Sequence, residues 1–193
     1  MSTSRRDLLR IPAALALAPL LADAAQHSEK PATEKPAPYP KTGGVKMLPV
    51  RGGKHRVWTK QIGNGALPML TLHGGPGAPH DYLECFEDFL PQAGVKYWYY
   101  DQLGCGNSDL PDDPSLWTVD GFREEVEEVR TGLGLSKFVL FGHSWGGMLG
   151  IEYALKYQQN LKALVISDMT ASIASYMAYI GELRKTWPKD VVE

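Results

Sequence analysis

Residues 138–150 read FVLFGHSWGGMLG, and this stretch decides the fold. Phe138 to Phe141 is an apolar run suited to a buried strand. Glycines then make a tight turn, and a helical pattern follows from Trp145. One serine, Ser144, stands at the tip of the turn. Gly142-His143-Ser144-Trp145-Gly146 fits Gly-x-Ser-x-Gly, which sets a serine on a sharp strand-to-helix turn with its hydroxyl exposed. The flanking glycines keep side chains away from a backbone that must be strained there, and Gly147 leaves room for the helix to pack closely. The helix start also aims free N–H groups at the site and favours negative charge. Ser144 is therefore the candidate nucleophile; the plain alternative is a turn whose serine only caps the helix. A nucleophilic serine needs a base, yet no histidine follows His143 in the 193 residues.

Upstream, His73-Gly74-Gly75-Pro76-Gly77 follows a strand pattern, LPMLTL (67–72). A tetrahedral acyl intermediate needs two backbone N–H donors aimed at its oxyanion, each worth about 100- to 1000-fold in rate. Trp145, the residue after the serine, supplies one in this reading and Gly75 the other. Glycines let that backbone approach a substrate closely. A third patch, YYDQLGCGNSD (99–109), contains Asp101. It precedes the serine, whereas an acid partner follows the serine in this chain order. Asp101 is thus expected to brace its own loop through backbone N–H groups.

Around these motifs, short apolar runs alternate with helical patterns. VKMLPV (45–50), HRVWTKQI (55–62), VKYWYY (95–100), KFVLFG (137–142) and KALVIS (162–167) read as further strands. TVDGFREEVEEVRTGL (118–133) places Val119, Phe122, Val126, Val129 and Leu133 on one helical face, with Thr118 as N-cap. WGGMLGIEYALKYQ (145–158) is a second helix. Strands alternating with helices predict an α/β fold, a mostly parallel sheet covered on both faces.

The N-terminus reads differently. Arg5 and Arg6 precede the apolar run IPAALALAPLLADAA, which ends at Ala22-Asp23-Ala24. Positive head, apolar middle and small-residue end predict an export signal over 1–24, similar to a bacterial twin-arginine signal. The run is short and holds Pro12 and Pro19, so it is a poor membrane span. Its removal takes three arginines and two aspartates and moves the formal charge from −2 to −3. Neither value gives a basic footprint for nucleic acid. Residues 25–44, rich in proline and charge, read as a linker. A hydrophobic content of 44% suits a soluble globular chain. Cys85 and Cys105 are too few for a disulfide framework and are expected as unpaired packing residues. No metal-ligand cluster, phosphate loop or Gly-x-Gly-x-x-Gly fingerprint stands out, so no cofactor is expected.

HGGPG followed by HDYL (80–83), then YDQLGCGNSD (100–109), GHSWGGM (142–148) and ALVISDMTASIASYM (163–177), makes the chain resemble the proline iminopeptidase family of α/β-hydrolases. Relatives of that family include tricorn-interacting aminopeptidases and amino-acid amidases. The resemblance runs from about Val45 to Glu193. It implies an α/β-hydrolase core over 45–170 and the start of a helical cap over 171–193. It maps Ser144 to the nucleophile, and Gly75 and Trp145 to the oxyanion hole. The implied substrate is a short peptide or an amino-acid amide. The resemblance also implies a triad acid and histidine that come after the cap. His27, His55, His73, His80 and His143 all precede Ser144. His143 is expected to point away from the nucleophile, His73 and His80 to be structural, and Asp168 to be a weak stand-in for the acid. The chain is accordingly expected to be the N-terminal portion of a longer enzyme, inactive alone, with the sixth strand left as an open sheet edge. Three readings stay open: an aminopeptidase releasing N-terminal proline or another residue, an amidase or esterase with the same half-site, and a truncated chain that binds without catalysis.

Overall fold

The computed structural model describes residues 44–188. The expected signal and most of the expected linker lie outside the described residues. Within the described residues six strands follow in order: β1 (Val45–Val50), β2 (His55–Ile62), β3 (Leu67–Leu72), β4 (Val95–Tyr100), β5 (Phe138–His143) and β6 (Leu161–Ser167). They form one sheet in the order β1-β2-β4-β3-β5-β6. The β1–β2 and β2–β4 pairs are antiparallel, and the other three are parallel. The chain leaves β3 for β4 on one side, then crosses back to β5 on the other. The carboxyl ends of β3 and β5 therefore lie side by side at the point where strand order reverses, with Leu72 paired to Gly142. Crevices at such points are where open α/β sheets bind ligands.

Among the described residues three α-helices accompany the sheet: α1 (Val119–Gly132), α2 (Trp145–Tyr157) and α3 (Ile173–Arg184). Thr118 caps α1 as expected, its hydroxyl accepting the Gly121 N–H at 3.0 Å. Alternation along the strands builds two cores. Trp98 and Tyr100 of β4 join Leu70, Leu140, Phe122, Val126, Val129 and Leu149 under α1 and α2. Tyr97 and Tyr99 point the other way, toward Met69, Val139 and Leu83. Leu83 belongs to a 3-10 segment, His80–Asp88, between β3 and β4.

Two expectations need correction. Val119, placed on the apolar face of α1, is 44% exposed, whereas Glu125 of the same helix is fully buried. Residue 119 is the first of the helix, before its inner face meets the sheet. Glu125 is buried because the Arg51 guanidinium enters the same interface, a partner no helical periodicity reveals. The cysteines also divide: both are free, but only Cys105 is buried, while Cys85 is exposed. Among the described residues β6 pairs only with β5, and α3 buries none of its side chains.

Candidate active site

Ser144 joins β5 to α2 at φ 53° and ψ −117°. A non-glycine residue held there costs on the order of 1–3 kcal/mol, so its surroundings must enforce the geometry. They do so on three sides. The Ser144 N–H donates to the Ser167 carbonyl at 2.9 Å, tying the turn to the end of β6. Its carbonyl accepts the Gly147 N–H at 2.9 Å as α2 begins. A β-carbon on Gly142 would collide with the Gly146 carbonyl, and one on Gly146 with the Leu72 carbonyl. The first turn of α2 thus lies on the backbone at the end of β3, which only glycine permits.

This contact makes a testable difference between neighbours. Gly146→Ala drives a methyl into backbone and is expected to cost about 1–3 kcal/mol by overpacking. A β-carbon on Gly147 meets Ile166 Cγ2 at 3.1 Å, Met169 Cβ at 3.2 Å and the Gly142 carbonyl at 3.3 Å, tight contacts that a shift of a few tenths of an ångström relieves. Gly147→Ala should therefore cost clearly less than Gly146→Ala, the more so because alanine favours the helix. Urea denaturation of the two variants checks this order, and equal losses would contradict it.

The Ser144 side chain makes no capping bond to α2. The plain helix-cap reading of this serine is therefore not what the structure shows. The His73–Gly77 loop lies against it: a β-carbon on Gly74 would sit 3.2 Å from both Ser144 Cβ and His143 Nδ1. Gly75 has φ 111°, and a β-carbon there would press on the backbone of Gly77 and Ala78. Among the described residues the Gly75 N–H meets no acceptor, while the Gly74 N–H donates to the Tyr82 hydroxyl at 2.6 Å. Trp145 is the first residue of α2, where an N–H has no partner within the helix. The fold therefore sets the Ser144–Trp145 turn beside the loop that carries Gly74 and Gly75.

The surrounding polar groups are fixed by burial. His73 is buried, and its Nε2 accepts the Gln102 N–H at 2.9 Å. Its proton is accordingly assigned to Nδ1, which donates to the Gly74 carbonyl at 2.9 Å. Burial pushes the His73 pKa down, so the ring stays neutral and structural, as expected. Asp101 is fully buried and accepts from the His80 N–H at 3.0 Å, from His80 Nδ1 at 2.7 Å and from the Asn107 N–H at 2.9 Å. Burial opposes its ionisation, but the His80 ring and these N–H donors outweigh it and hold the carboxyl below its usual range. Asp101 thus braces its loop, as the sequence indicated.

His143 makes no hydrogen bond to Ser144. Its Nδ1 lies 3.0 Å from the Tyr82 hydroxyl and its Nε2 3.5 Å from an Asp168 carboxylate oxygen. The Asp168 side chain is exposed and reaches His143, not a triad position. Folding also brings ligand atoms of His80, Asp81 and Glu84 within 4.8 Å of one another. That grouping was not evident in the sequence, but Asp101 and the Trp58 ring already hold the His80 side chain. Sequence reasoning missed Tyr82 and Gln102, each of which touches both halves of the crevice. Their adjacency to HGGPG and to Asp101 was the available signal.

The α/β-hydrolase fold family model matches residues 68–191. A proline iminopeptidase of Chitinophaga pinensis is 52% identical over 142 residues, 71% of this chain and 48% of that protein. One of Saccharolobus solfataricus is 51% identical over 106 residues, 54% of this chain and 34% of that protein. The crystal structure of the Mycobacterium smegmatis proline iminopeptidase superposes with a TM-score of 0.68 at 36% identity, covering 75% of this chain and 50% of that one. An epoxide hydrolase of Vigna radiata, 23% identical with a TM-score of 0.58 over 63% of this chain and 37% of that one, shares the fold alone. The chain spans about half the length of the relatives it matches. With strands, elbow serine and glycine loop in this arrangement, the chain belongs to the α/β-hydrolase fold family, and within it is similar to proline iminopeptidases.

Proposed function

We propose that this chain carries the nucleophile half of a serine hydrolase site, and that the protein is an aminopeptidase releasing N-terminal proline or another residue from short peptides. The observation that carries the reading is Ser144 held at a strained turn, its hydroxyl free of the helix and the Gly74–Gly75 backbone against it. In the proposed reaction Ser144 Oγ bonds to the carbonyl carbon of the substrate's first residue. The hydroxyl proton passes to an imidazole base that is not among the described residues. Charge develops on the carbonyl oxygen, where the N–H groups of Gly75 and Trp145 converge. Collapse breaks the C–N bond, the leaving amine takes the proton, and water then cleaves the Ser144 ester.

Substrate choice is tested on the full-length protein by comparing proline p-nitroanilide, proline amide and a simple p-nitrophenyl ester. The aminopeptidase reading expects kcat/KM for the proline anilide at least ten times that for an N-acetylated analogue, because a free amine is recognised. Preference for the simple ester, with indifference to N-acetylation, would favour the esterase reading. No hydrolysis of any of the three would leave a binding role and overturn the proposal.

A further inference from the structure

The residues on either side of Ser144 are each tied to the glycine loop by one bridging side chain. On the inner side, the Trp145 indole Nε1 donates to Gln102 Oε1 at 2.9 Å, and Gln102 Nε2 donates to the His73 carbonyl at 3.1 Å. On the outer side, the Tyr82 hydroxyl accepts the Gly74 N–H at 2.6 Å and meets His143 Nδ1 at 3.0 Å. Gln102 is buried, and its backbone is itself fixed: its N–H bonds His73 Nε2 and its carbonyl accepts from Cys105 Sγ at 3.1 Å. Tyr82 is half-exposed at the mouth of the crevice. Neither side chain is hydrogen-bonded to Ser144.

We propose that Gln102 and Tyr82 are positioning residues that clamp the 73–75 loop to the Ser144 turn from two sides and so set the separation of the Gly75 and Trp145 N–H donors. The proposal rests on the acyl-transfer reading of Ser144. No hydrogen-bonded strand ladder spans these two segments, because β3 ends at Leu72 and β5 at His143. Beside the close packing of Gly146 on the His73 carbonyl, the hydrogen bonds that join the loop to the turn there run through side chains. The two donors must converge on an oxygen that becomes charged only in the transition state, and a misplacement of about 1 Å in such a site can cost about 100-fold. The clamp therefore acts on kcat and not on substrate binding. The two bridges do different jobs. Tyr82 takes the Gly74 N–H out of competition, leaving the next one, on Gly75, to face the substrate. Gln102 fixes the indole of the very residue whose backbone N–H is the second donor.

The test uses Tyr82→Phe and Gln102→Met, each close in shape but lacking the bridging bonds, in the full-length protein. Amide resonances of Gly75 and Trp145 are followed by 15N labelling of glycine and tryptophan, and kcat and KM are measured with the best substrate. Each variant is expected to shift both amide resonances and lower kcat about tenfold, the pair together about 100-fold, with KM within twofold. Tyr153→Phe, which removes a buried hydroxyl bonded to Glu127 far along α2, is the control for general loosening and should leave kcat unchanged. Unshifted amides, an unchanged kcat, or a KM that rises as far as kcat falls would overturn the clamp. If the unaltered protein hydrolyses nothing, the acyl-transfer reading fails, and the clamp is then judged by the amide shifts alone.

Discussion

In the full-length protein, Ser144→Ala is expected to lower proline-anilide hydrolysis about a million-fold while leaving the fold intact, the scale of loss when a serine protease is stripped of its nucleophile. The structure separates the two effects cleanly. The hydroxyl caps no helix N–H, so its removal costs α2 no capping bond. The backbone at φ 53° stays as strained for alanine as for serine. Stability by urea denaturation should therefore move by less than about 0.5 kcal/mol, as for a substitution that touches no structural feature. Ser144→Gly should be equally inactive but more stable, by about 1 kcal/mol, because glycine relieves the positive φ. Hydrolysis at more than a thousandth of the original rate in Ser144→Ala would place the nucleophile elsewhere. Equal stability of the alanine and glycine variants would remove the argument that strain at residue 144 is maintained for function.

Local rules made the frame of this molecule legible. VKMLPV, HRVWTKQI, LPMLTL and VKYWYY occupy strands with the bounds their apolar patterning indicated. Proline, glycine and charge punctuate their ends, so local chemistry and tertiary context agree. The turn at Ser144 was equally legible, because its glycines answer a steric demand that any strand-to-helix elbow makes. What could not be read were long-range polar contacts. Glu125 looks like its neighbours Glu124, Glu127 and Glu128, and nothing in the spacing marks it as the one that goes inside. Tyr82 and Gln102 have no periodicity at all, and their partners lie 8 to 61 residues away. Such residues gain their roles only when the β3 and β5 loops meet. Asp101 is the intermediate case: its turn chemistry predicted bonds to nearby backbone N–H groups, of which the Asn107 N–H is one, but not the His80 ring that completes its shell.

Glu125 carries the largest expected stability effect of any single side chain away from the crevice. Its carboxylate accepts four hydrogen bonds: Arg51 Nε at 3.2 Å, Arg51 Nη2 at 3.0 Å, the Tyr100 hydroxyl at 2.7 Å and the Leu103 N–H at 3.0 Å. These come from the β1–β2 turn, the end of β4 and the loop after it, so one side chain fastens three segments to α1. Burial pushes the carboxyl above the usual carboxylate range, against the pull of the Leu103 N–H, the Tyr100 hydroxyl and the Arg51 guanidinium. Glu125→Ala leaves a nearly buried guanidinium, a fully buried phenol and a backbone N–H without their acceptor. Removing one partner of such a buried pair costs about 3–5 kcal/mol, a large part of the roughly 5–15 kcal/mol that stabilises a domain. Glu128→Ala is the comparison. Glu128 accepts the Arg51 and Gly52 N–H groups at 2.7 and 3.1 Å nearer the surface, where water can replace it, and about 1 kcal/mol is expected. Urea midpoints at an unchanged m-value measure both, and a Glu125→Ala loss no larger than that of Glu128→Ala would refute the ranking. The effect should also reach the crevice. Leu103, which Glu125 holds by its N–H, follows Gln102 directly, so loosening it frees the loop from which Gln102 spans His73 and Trp145. Glu125→Ala measured well below its melting temperature should therefore lose kcat as well as stability, whereas Glu128→Ala should lose only stability.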